Sequence, residues 1–154
     1  MHADPSLTAE IQPRIAPVLA EHAAHLLARA HFAARDLANR TLEPFGLEIR
    51  HFVALLVIDD EGPMSQQELS RFVRCDRTTM VSLMDELESA GYVERRRNPD
   101  DRRAYALEIT AAGREVLAEA REAIVAIERE FFAPLSEAEE QELKRLLTLL
   151  ILRP

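Results

Sequence analysis

The sequence predicts a mainly α-helical chain interrupted by one small β-hairpin. Three observations carry that expectation. The 154 residues are dominated by Ala, Leu, Glu and Arg, which are strong helix formers, while aromatics make up only 5% and Trp is absent. Apolar residues recur at three- and four-residue steps through most of the chain. Between Tyr92 and Ile109 alone, that period drops to two.

The first element runs from about Ile15 to Thr41, as one long helix opened near Pro17, a residue tolerated in a first turn. Leu19, Leu26, Leu27, Ala30, Ala33, Ala34, Leu37 and Ala38 form its apolar stripe. Pro44 and Gly46 break it. A second helix spans about Glu48 to Asp59, with Phe52, Leu55, Leu56 and Ile58 turned inward, and Glu61-Gly62-Pro63 ends it. Ser65-Gln-Gln-Glu68 is a capping box that opens a short helix to about Phe72. After a turn over Val73 to Cys75, Asp76 is a good N-cap for a helix reaching about Ala90, where Gly91 supplies a left-handed stop. Met80, Val81, Met84 and Leu87 supply the inner face of that helix, leaving Arg77, Thr78 and Ser82 to face out.

Tyr92 to Arg97 and Ala104 to Ile109 are the two strands, joined by turn residues Asn98-Pro-Asp-Asp101. Thr110 caps a long helix to about Phe132, with Val116, Leu117, Ala120, Ile124 and Ile127 as its stripe, and Pro134 ends it. Ser136-Glu-Ala-Glu139 is a second capping box, opening a last helix that runs nearly to Arg153. A short helix, a tight turn, a longer helix and a hairpin make a winged helix-turn-helix. The predicted layout is an N-terminal dimerisation helix over 1–46, a DNA-binding region over 47–110 and C-terminal dimerisation helices over 111–154, folded as one compact unit.

Net charge is −8, which argues at first against a nucleic-acid partner. Its distribution argues otherwise. Residues 65–110 balance eight arginines against nine acidic side chains and are the least acidic stretch of the chain. The arginines cluster at Arg71, Arg74 and Arg77, at Arg95, Arg96 and Arg97, and at Arg102 and Arg103. Guanidinium groups suit phosphates and base edges. The first turn of the longer helix offers Arg77, Thr78 and Thr79, with Ser82 one turn on, to a major groove wide enough for an α-helix. A hairpin tip carrying Arg102 and Arg103 can reach the neighbouring minor groove.

Residues Glu48 to Gly113 resemble the MarR family of bacterial transcription regulators. The likeness lies in Glu68-Leu69, in Leu87-Glu-Ser-Ala-Gly-Tyr-Val-Glu-Arg95, in Asp101-Arg-Arg103, in Ile109-Thr110 and in Gly113. The resemblance implies that Arg77, Thr78, Thr79 and Ser82 lie on the major-groove face and that Arg103 enters the minor groove, with Asp101 helping to hold it. It also implies backbone contacts from Arg95 and Arg97. Ile109 stands where the family usually has Leu, and Cys75 is not a family requirement. Family members often respond to small aromatic or phenolic ligands or to oxidants. Asp101 also reads as an ordinary turn residue.

The last helix supplies an independent argument for a homodimer. Leu143, Leu146, Leu147, Leu149, Leu150, Ile151 and Leu152 make it apolar nearly all round, more than a small chain buries alone. Twofold pairing would set two recognition helices about 34–36 Å apart.

Cys75 is the single cysteine, so no internal disulfide forms. Beside a helix N-terminus, Arg74 and Arg77, its thiol could be acidified and sense an oxidant, a hypothesis from position alone; the commoner reading of an unpaired cysteine is a small buried hydrophobe. His31 and His51 are candidate lining for a pocket between the long helices and the DNA-binding core. His22 and His25 share a helix face but lack a third metal ligand in the sequence. No cofactor is expected. No apolar run spans a bilayer and the first residues lack a secretory pattern, so no membrane partner and a cytoplasmic location are expected. With only four glycines and no phosphate-cradling loop or nucleophile–base grouping, an enzyme is not expected. A winged-helix protein-interaction module is the alternative; it would show an apolar exposed face where this chain shows Arg and Thr.

Overall fold

A computed structural model describes residues 15–97 and 105–152. The helices are α1 (Pro17–Ala20), α2 (Ala23–Leu42), α3 (Ile49–Glu61), α4 (Gln66–Val73) and α5 (Arg77–Ser89), with a 3-10 turn at Glu43–Phe45 between α2 and α3. Strands β1 (Val93–Arg97) and β2 (Tyr105–Ile109) follow, then α6 (Ala111–Phe132) and α7 (Glu137–Ile151). This is the mainly helical fold with a two-stranded hairpin that the sequence predicts.

The long first helix is not continuous. Pro17–Ala20 is a single turn, and the His22 N–H bonds back to the Leu19 carbonyl at 3.3 Å. The ladder restarts at His22, whose carbonyl accepts the N–H groups of His25 and Leu26 at 2.9 and 3.1 Å. An apolar stripe with a seven-residue gap between Leu19 and Leu26 carries no signal for such a break.

The contacts group the described residues into two compact units. One comprises residues 35–97 and 105–124; the other comprises 15–34 and 125–152. The divisions fall inside α2 and α6, where the sequence reading placed boundaries after residues 46 and 110. In the first unit the core is Leu42, Leu55, Ile58, Leu69, Met80, Leu83, Met84, Leu87 and Leu107, all essentially inaccessible. Truncating any of these to Ala costs about 2–5 kcal/mol, lost transfer energy plus an unfilled cavity. Strand β2 pairs antiparallel with β1, Val93 opposite Ile109 and Arg95 opposite Leu107. Met64 adds a third, one-residue rung, exchanging both backbone hydrogen bonds with Leu107 at 2.7 and 3.3 Å.

In the second unit, α7 starts from the Ser136 capping box and has no buried residue. Leu146, Leu149, Leu150, Ile151 and Leu152 are all exposed, Leu152 by 72%.

Candidate nucleic-acid interface

Asp76 fixes the start of α5. Its carboxylate accepts from the Thr79 backbone N–H at 3.0 Å and from the Thr79 hydroxyl at 2.7 Å, which holds the carboxyl below its ordinary range. One residue before Cys75, Arg74 closes α4 in the left-handed region at φ 52°, giving the tight turn between the two helices. The result is an outward first turn with Arg77 and Thr78 exposed and Thr79 half-buried. Among the described residues, Arg71, Arg74 and Arg77 form no ion pair. Arg71 lies in the field of the Glu68 carboxylate, which leaves Arg74 and Arg77 the better placed of the three to meet an external anion.

The inner face of α5 is Met80, Leu83, Met84 and Leu87. Val81, expected inside, is 42% exposed, and Leu83 takes its place. Met80, Leu83, Met84 and Leu87 hold the three-and-four spacing of one helix face, whereas Val81 sits about 100° round from Met80.

Glu86, one turn beyond Ser82, is a hub that sequence reading missed. It accepts from the Ser82 hydroxyl at 2.7 Å, from Arg50 at 3.0 Å and from His51 Nε2 at 2.9 Å. The Ser82 bond, then His51 and Arg50, hold its carboxyl below the ordinary range. His51 is 6% exposed, and its Nδ1 accepts the Glu48 backbone N–H at 2.9 Å, so Nε2 is the donor to Glu86. Both ring nitrogens of His51 are thus committed to protein partners, which leaves neither for a bound ligand. His31 is exposed and lies against Phe32 with ring centroids 5.7 Å apart. No local pattern marks the Glu86–His51 pair, because its members are 35 residues apart.

The base of the hairpin is fastened at one joint. Tyr92 N–H bonds to the Leu87 carbonyl and Gly91 N–H to the Glu88 carbonyl, both at 2.9 Å, with Gly91 at φ 75°, a Schellman stop to α5. The Thr110 hydroxyl donates to the Gly91 carbonyl at 2.7 Å and accepts the Gly113 N–H at 3.0 Å. On the strand itself, Arg95 pairs with Asp85 and Glu88 of α5, each at 3.2 Å, and Arg96 pairs with Glu94 and Glu108. Arg97 ends β1 opposite Tyr105. Asp101, Arg102 and Arg103 lie outside the described residues.

Residues 47–105 match the model of the MarR family. The chain is also 33% identical over 122 residues to a protein assigned to regulation of the hcr operon in Thauera aromatica, covering 79% of this chain and 74% of that one. The chain belongs to the MarR family. It is therefore a DNA-binding transcription regulator and not an enzyme. A probable transcriptional regulator from Pseudomonas aeruginosa superposes with a TM-score of 0.79 at 29% identity, covering 86% of this chain and 98% of that one. The repressor CouR bound to a 23-mer DNA duplex superposes with a TM-score of 0.84 at 26% identity over 91% of this chain and 99% of that one. CouR from Rhodococcus jostii has also been solved with p-coumaroyl-CoA.

For a MarR-family chain, the surroundings of Cys75 are unfavourable to thiolate chemistry. Burial first, and the Asp76 carboxylate second, push the thiol up from its ordinary value. Both effects act against the acidification expected from Arg74 and Arg77, and the thiol is half-buried. Cys75 lines a cleft of about 580 Å³ with Gln66, Gln67, Ser70, Arg77, Met80 and Val81. A second cleft, of about 440 Å³, lies among Leu56, Val57, Asp59, Asp60, Glu61, Phe72 and Arg121. Among the described residues no cluster of three His, Cys, Asp or Glu side chains could hold a metal, and no helix is long and apolar enough to cross a membrane.

Proposed function

We propose that this MarR-family protein is a repressor acting as a homodimer on a pseudo-palindromic operator and released by a small aromatic effector. The observation that carries the reading is the outward first turn of α5, where Arg77 stands without an ion pair among the described residues, on a helix end fixed by Asp76. Arg77, Thr78, Thr79 and Ser82 address the major groove, and Arg102 and Arg103, supported by Asp101, address the minor groove. Arg97 contacts the backbone. Arg95, already paired with Asp85 and Glu88, braces the hairpin against α5 and contributes less to phosphate contact than its neighbours.

Dimerisation follows from α7, whose exposed leucines need a cover of equal apolarity, which a second copy of the same helix supplies. For the effector, the 440 Å³ cleft offers Phe72, Leu56 and Val57 to an aromatic ring, with Arg121 and the carboxylates of Asp59, Asp60 and Glu61 at its polar side. The Cys75 thiol, raised rather than acidified, makes an oxidant the weaker choice of signal.

The test is selection of the full-length protein against a randomised duplex library, with anisotropy titrations of the enriched duplexes at several salt concentrations. Enrichment of an inverted repeat whose affinity falls steeply with salt supports the reading. No enrichment at low salt without effector overturns it.

A further inference from the structure

From the Ser82–Glu86 pair we infer which bases Ser82 accepts: it reads amino bases, adenine or cytosine, on the strand it faces. The inference rests on the proposed docking of α5 in the major groove and adds a base rule to it. A serine hydroxyl has one proton and two lone pairs, so a free one turns to suit either a donor or an acceptor. Ser82 is not free. Its proton goes to Glu86 Oε1 at 2.7 Å, a charge-assisted bond roughly twice as strong as a neutral one.

Glu86 cannot return the favour. Its other oxygen, Oε2, takes Arg50 and His51 at 3.0 and 2.9 Å, which fixes the carboxylate in place and keeps it an acceptor. Ser82 therefore turns lone pairs outward. In the major groove adenine N6 and cytosine N4 offer donors, adenine beside its N7 acceptor, whereas guanine N7 and O6 and thymine O4 offer acceptors alone. Amino bases gain a hydrogen bond at Ser82, and keto bases meet oxygen lone pair against lone pair. Glu86 is thus a positioning residue that sets the polarity of a hydroxyl it does not share with DNA.

The geometry makes an unusual forecast for Glu86→Gln. The glutamine has one acceptor and one donor end. Two donors, Arg50 and His51, converge on the Oε2 side and only one hydroxyl on the other. The amide oxygen therefore settles toward Arg50 and His51 and its NH2 toward Ser82. Ser82 then accepts from Gln and its own proton is released toward the groove, so the base rule inverts rather than fades.

The experiment is library selection with the full-length wild type, S82A, E86Q and the S82A/E86Q double variant at one salt concentration. In the wild type, one position in each half-site excludes G and T by about fivefold or more. S82A levels that position alone to within about twofold, and E86Q shifts it toward G or T. On the S82A background, E86Q changes that position no further, which separates a role through Ser82 from a general loosening of α5. Enrichment at the other positions reports that each variant is folded. An unaltered A or C preference in E86Q, or S82A levelling no position, overturns the inference. Loss of all enrichment in the wild type instead overturns the regulator reading beneath it.

Discussion

The Gly113 Cα faces the Tyr92 carbonyl so closely that an added Cβ would stand 2.2 Å from the oxygen and 2.8 Å from the Ile109 side chain. The nearest atom is backbone and cannot rotate away. Gly113→Ala thus sets two effects against each other. Alanine favours a helix by about 1 kcal/mol over glycine, while forcing a methyl into a packed contact costs about 1–3 kcal/mol. The clash wins, because the contact is with the chain itself. Urea unfolding of G113A is expected to show a net loss of stability; a variant as stable as the wild type would mean that the hairpin base gives way freely.

Arg77 and Arg95 are expected to separate in salt titrations. Removing an arginine that neutralises a phosphate lowers the salt slope of DNA affinity by about one. R77A is expected to show that drop. R95A is expected to leave the slope nearly unchanged and to lose less than about 1 kcal/mol of stability, the scale of a partly exposed pair. Equal drops in both slopes would place Arg95 on the phosphate backbone instead.

Leu150→Asp is expected to give a folded monomer with little operator affinity. Leu150 is 52% exposed in the single chain, so the charge costs little there but much between two copies. Sedimentation of the variant beside the wild type checks the mass; a dimeric L150D would direct attention to α1 and α2.

The capping carboxylates predict an acid limb. Glu139 is held below its ordinary 4.5, first by the Ser136 hydroxyl, and Glu68 below the same value, first by the Ser65 backbone N–H. A depressed folded-state value means the stabilisation is complete above 4.5 and disappears as pH falls through the folded value. Ser136→Ala removes the leading cause for Glu139, while Ser65→Ala leaves the leading cause for Glu68 intact. S136A is therefore expected to flatten the acid limb more than S65A, with its deficit at neutral pH shrinking in acid. Stability measured from pH 7 down to about 3 decides it.

The same caps show what is legible in a sequence. Ser65 with Glu68, Asp76 with Thr79, and Ser136 with Glu139 act over three residues, so their chemistry is visible without a fold. The hairpin and Gly91 are legible for the same reason. Val81 and Leu83 lie at the limit, since the phase of a helix face depends on what packs against it. His51 and Glu86 lie beyond it. A histidine read as a possible ligand contact is a buried brace because a glutamate 35 residues away and the Glu48 N–H complete its bonding. Nor does any pattern announce Met64, whose single rung with Leu107 depends on where the hairpin lands.

Thr110, Gly91, Tyr92 and Gly113 tie the end of α5, both strands and the start of α6 through hydrogen bonds that share atoms. None of these elements can open there without releasing the others. Amide exchange at Tyr92, Thr110 and Gly113 is then governed by one cooperative opening, with a common free energy, rather than by fraying from the hairpin. Heat or denaturant is then expected to remove the recognition helix and the hairpin base in a single step, leaving no partly folded form that keeps one without the other.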